Sequence, residues 1–80
     1  MKNELSLQFG MRCKELRSET GLSQENFAHL IEMDRSYYAS IEVGRRNVTL
    51  MNMKKIADGL GVTLSVLLDG VGSEPGSRRK

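Results

Sequence analysis

The sequence predicts an all-α fold of five short helices packed as one domain. Three observations carry this. Apolar residues recur at three- and four-residue spacing. Ser, Asp or Thr stands ahead of four of the five apolar segments, and glycine closes three of them. No stretch alternates apolar and polar residues cleanly enough for a strand.

The first helix is expected over about Glu4 to Thr20, with Leu5, Phe9, Cys13 and Leu16 on its inner face and Gly21 at its end. Ser23 is the N-cap of a second helix, with Glu25 suited to its positive end. Phe27, Ala28 and Ile31 face inward there. Asp34 caps a third helix that buries Tyr38 and Ile41 and stops at Gly44. Thr49 caps a fourth, with Leu50, Met53, Ile56, Ala57 and Leu60 inward and Gly61 closing it. Thr63 caps a fifth, whose Leu64, Leu67 and Leu68 are apolar. A short helix, a tight turn and a second short helix, as read from Ser23 to Gly44, is helix-turn-helix spacing. Such a pair cannot bury itself, so the first and fourth helices must pack across it and hold its angle.

Composition narrows the function. Eighty residues with 39% hydrophobic content suit one small domain. Residues 1–70 are expected to form it, and residues 71–80, VGSEPGSRRK, a loose basic tail. Of twelve cations and ten anions, the tail holds three and one, so the body carries nine of each. A nucleic-acid argument must therefore rest on where the charges lie. No apolar run reaches a membrane span, no signal segment follows Met1, and a cytoplasmic location is expected. Cys13 has no partner for a disulfide or a metal site and reads as a small buried residue. The only histidine, His29, lacks a paired nucleophile. Gly59-Leu60-Gly61 ends a helix and follows no strand, so it is no phosphate loop. Asn47-Val48-Thr49 fits a glycosylation sequon, but Thr49 as a cap is the better account. No catalytic residue, metal site or cofactor is predicted.

With Tyr38 and Ile41 inward, the helical period places Arg35, Ser36, Ala39, Ser40 and Val43 on the outer face of the third helix. Small Ala39 and Ser40 allow close approach to another surface. Arg35 projects from the first turn, where a cation is mildly unfavourable for the helix dipole. Recognition helices use this end in the major groove, and Arg there can pair with guanine O6 and N7. Ser36 and Tyr37 add hydroxyls. Arg45, Arg46 and Asn47 follow in a loop suited to phosphate contacts, and Gln24 heads the second helix, where it could hold another phosphate.

LSQENFAHLI, DRSYYASIEVGRRN and LMNMKKIADGLGVTLSVLL resemble the Cro/C1-type (XRE-type) helix-turn-helix family over about Phe9 to Leu68. Leu22 to Glu25, Ile41 to Gly44 and Ala57 to Val62 carry the most specific parts of the likeness. Within it, Asp34-Arg35-Ser36-Tyr37 and Gly44-Arg45-Arg46-Asn47 look most like restriction–modification controller proteins. The resemblance implies a compact, lambda-repressor-like DNA-binding domain. It implies Gln24 on a phosphate, Arg35 reading bases beside Ser36 and Tyr37, and Arg46 and Asn47 on the backbone. It also implies a buried ion pair between Arg17 and Glu42. Glu32 stands where relatives commonly have glycine, and Tyr38 stands where an aliphatic residue usually enters the core. Double-stranded operator DNA and a second copy of the chain are the implied partners, with Leu64, Val66 and Leu67 as candidates for the dimer surface. Phage-type repressors and antitoxins share much of the pattern. A protein-binding adaptor is the alternative from another class.

Overall fold

The computed structural model describes residues 4–73. They form α1 (Glu4–Thr20), α2 (Gln24–Leu30), α3 (Arg35–Glu42), α4 (Leu50–Leu60) and α5 (Leu64–Leu67), with no strand among them. Each expected cap is in place. The Ser23, Asp34, Thr49 and Thr63 side chains accept from the backbone N–H groups of Asn26, Tyr37, Asn52 and Val66, satisfying donors that a helix start leaves open.

Three helices end in one way. Glu32, Gly44 and Gly61 bond three residues back, and the residue after each bonds five residues back. This double closure needs a left-handed residue at its turn, usually glycine. Gly44 and Gly61 meet the need at φ 82° and 74°. Glu32 adopts φ 55° as an ordinary residue, the only non-glycine with positive φ among those described. The departure read at Glu32 is therefore a real strain point.

Phe9, Cys13, Phe27, Ala28, Ile31, Tyr38, Ile41, Ile56, Ala57 and Leu67 make one core drawn from all five helices. The Phe27 and Tyr38 rings meet at 5.1 Å, tilted by 58°. Burial pushes the Cys13 thiol up to about 12, which leaves it protonated and inert at neutral pH. The helix pair is braced chiefly by α1, which crosses α3 closely at Gly10. A Cβ there would lie 2.3 Å from the Ile41 carbonyl oxygen and 2.6 Å from that of Glu42.

Three expectations need correction. Leu5 and Leu50, expected inward, are 58% and 66% exposed. Both sit in the first turn of their helices, beyond the edge of a core too small to cover them. Val71 packs against that core, and the Gly72 N–H donates to Gln8 Oε1 at 2.7 Å. Residues 71–73 thus belong to the folded unit and not to a loose tail. The basic end, Arg78, Arg79 and Lys80, lies outside the described residues.

Candidate nucleic-acid interface

The carboxylate of Asp34 accepts from the Tyr37 N–H at 2.9 Å and sets the first turn of α3. That turn presents Arg35 and Ser36 to solvent. The Arg35 side chain is 69% exposed, and its only ionic neighbour among the described residues is the equally exposed Glu25 at 3.8 Å. A pair this open and long is worth at most about 1 kcal/mol, so the guanidinium is held forward yet free to leave.

Behind the tip lies a small network. Asn52 Nδ2 donates to the Tyr37 hydroxyl at 3.2 Å. The Arg46 guanidinium lies over the Tyr37 ring at 5.4 Å, and its Nε donates to Ser40 Oγ at 2.9 Å. Ser40 Oγ in turn donates to the Tyr37 carbonyl at 2.6 Å. The Ser6 hydroxyl donates to Asn47 Oδ1 at 3.3 Å, tying the loop after α3 to α1. Arg45 is exposed beside it, and half-buried Ala39 keeps the face low. Arg35 is thus exposed at the start of α3, and Arg45 and Arg46 are exposed in the loop that follows it.

A second network fixes the angle of the pair. Glu42 is buried and receives Arg17 Nε and Nη2 at 2.7 and 3.1 Å, Gln24 Nε2 at 2.7 Å and the Tyr38 hydroxyl. The spare Nη1 of Arg17 reaches the Leu22 carbonyl at 2.7 Å. Burial pushes the Glu42 carboxyl up, but the donors Arg17, Tyr38 and Gln24 outweigh it and hold the group below its ordinary value. Burial, followed by the bond to Glu42, pushes the Tyr38 phenol well above its usual range. The expected ion pair is present, and the unusual Tyr38 hydroxyl has its partner.

Two residues, Ser40 and Leu67, take different roles from those expected, and Gln24 has a partner the sequence did not suggest. Gln24 turns its amide inward and donates one Nε2 hydrogen to Glu42. Ser40 has placed its proton on the Tyr37 carbonyl, so it holds Arg46 and has none to donate outward. Leu67 is fully buried within the protomer and cannot line a dimer surface, whereas Leu64 is half-buried and Val66 is 42% exposed. Asn52 and Arg12 were not legible in the sequence. Arg12 donates to the Leu67 and Val66 carbonyls at 3.2 and 2.7 Å, closing α5 from 55 and 54 residues away. No local signal marks a contact of that separation.

Among the described residues no helix is long and apolar enough to cross a membrane, and no group of three acidic, His or Cys side chains is placed to hold a metal. The Helix-turn-helix family profile matches residues 14–67. Control protein C.MunI of Mycoplasma sp is 52% identical over 73 residues, covering 90% of this chain and 99% of that protein. Control protein C.BamHI of Bacillus amyloliquefaciens is 41% identical over 70 residues, 86% of each. The restriction-modification controller protein C.AhdI from Aeromonas hydrophila superposes with a TM-score of 0.75 at 45% identity, covering 78% of this chain and 94% of that one. The controller C.Esp1396I, solved as a tetramer with its natural 35 base-pair operator, gives 0.80 at 30% identity, covering 91% and 96%.

Proposed function

The chain belongs to the helix-turn-helix family, and from that membership we propose that it is a restriction–modification controller: a transcriptional regulator that binds palindromic operator DNA as a homodimer. The observation that carries this is the exposed tip of α3, with Arg35 forward and Arg45, Arg46 and Asn47 in the loop beside it. The likeness to two control proteins over nearly their whole length supports the controller class.

In this role α3 enters the major groove by its first turn. Arg35 pairs with a base edge, and Ser36 and Tyr37 supply hydroxyls beside it. Arg45, Arg46 and Asn47 grip phosphates, while Gln24 donates its remaining hydrogen to another. Low, half-buried Ala39 lets the helix sit deep. One such module covers too little duplex for high specificity. A symmetric dimer reading half-sites about one helical turn apart meets the requirement. Leu64 and Val66 are the residues for that contact. The role needs no catalytic group and no cofactor, and it places the protein in the cytoplasm, with the operator.

Selection of bound duplexes from random oligonucleotides tests the reading, since a half-site repeated in inverted orientation should emerge. Arg35→Ala should then lose about 1–3 kcal/mol on the selected duplex and relax the preference at one base pair per half-site. An adaptor that binds proteins would enrich no sequence and would tolerate the substitution.

A further inference from the structure

A tyrosine hydroxyl has one proton and two lone pairs, so what it offers a ligand depends on what it already accepts. Asn52 occupies the third position of α4, where Thr49 Oγ1 accepts its backbone N–H at 3.1 Å. From there its side-chain Nδ2 donates to the Tyr37 hydroxyl at 3.2 Å. The Tyr37 ring is held on its face by Arg46 at 5.4 Å. Arg46 is itself held by Ser40, whose own proton sits on the Tyr37 carbonyl. The phenol is thus clamped between α4 and the loop after α3. One of its lone pairs is taken, and its proton has no acceptor among the described residues.

We propose that Asn52 is a positioning residue for DNA recognition: it fixes the Tyr37 hydroxyl as a donor toward the duplex, so that Tyr37 selects a hydrogen-bond acceptor there. The acceptor is a base-edge oxygen or nitrogen or a phosphate oxygen. The inference rests on the DNA-reading function above and adds to it a residue outside the helix-turn-helix pair. The opposite rotation of the Asn52 amide would present Oδ1, capture the phenolic proton and leave Tyr37 nothing to donate.

Replacing Asn52 by a group that only accepts separates the two arrangements. The full chain and the duplex it selects from random oligonucleotides are used, with a scrambled duplex as control. Dissociation constants are measured for the wild type, Asn52→Asp, Tyr37→Phe and the double variant. Aspartate is favoured in the first turn of a helix, so α4 is retained, which thermal unfolding checks. The added negative charge weakens DNA binding in both backgrounds alike and cancels in the comparison. Asn52→Asp should lose roughly fivefold or more additional affinity when Tyr37 is present than in the Tyr37→Phe background, because only Tyr37 has a proton to surrender. Equal losses in the two backgrounds overturn the proposal. An additional loss confined to the selected duplex assigns a base-edge acceptor, and one shared by the scrambled duplex assigns a phosphate. A selection that enriches no sequence overturns the DNA-reading function itself.

Discussion

Glu42 shows how much one side chain can organise. Its carboxylate gathers donors from α1, α2 and α3, and its folded-state ionisation lies below the ordinary value. A carboxyl of that kind stabilises the fold above its ordinary pKa, and the stability is lost as pH falls through the lowered folded value. Glu42→Gln should therefore cost about 3 kcal/mol near neutral pH, because Arg17 keeps a charge with no counterpart. The gap between variant and wild type in urea unfolding should narrow below about pH 4.5, where the unfolded carboxyl binds its proton. Glu32 is the opposite case, a residue at odds with its backbone. Glu32→Gly relieves the left-handed penalty but adds freedom to the unfolded chain, for a net gain of about 0.5–1 kcal/mol. A raised urea midpoint with an unchanged slope is the expected record. Glu32 was legible in sequence as a departure, because it sets a residue type against the geometry its place demands, whereas the Arg17–Glu42 pair was legible only through the family resemblance.

The helices themselves were legible almost to their ends. Caps are local chemistry, and a Ser, Asp or Thr three residues before an unpaired N–H acts wherever the helix lies. What escaped was the approach of one helix to another. Gly10 sits inside α1, where its residue type weakens the helix, and nothing nearby in sequence explains it. The explanation lies in the carbonyl oxygens at the end of α3, which leave no room for a Cβ. Gly10→Ala should improve the helix propensity of α1 yet destabilise the protein by about 1–3 kcal/mol, since backbone atoms cannot turn aside as a side chain would. Thermal unfolding of the variant measures which effect wins. The same crossing holds α3 against α1, so a surviving Gly10→Ala protein should also bind its duplex less well.

Across the whole molecule, burial divides the apolar residues between core and surface in a way that spacing alone could not. Leu64, Val66 and Leu67 looked alike as candidates for a dimer contact. Leu67 fills the core, and Val66 faces outward. Val66→Glu should leave the monomer folded, because the side chain is 42% exposed, and should shift the sedimentation profile from dimer toward monomer with loss of duplex affinity. The sequence by itself determined the five helices, their caps, the helix-turn-helix spacing and the outward Arg35, since each follows from residues a few positions apart. Only the tertiary structure decided that Leu5 and Leu50 stay exposed, that Ser40 and Asn52 serve Tyr37 and Arg46, and that Arg12 closes α5. These depend on which surfaces meet across distant parts of the chain, and the helical period says which way a side chain points but not what it finds there.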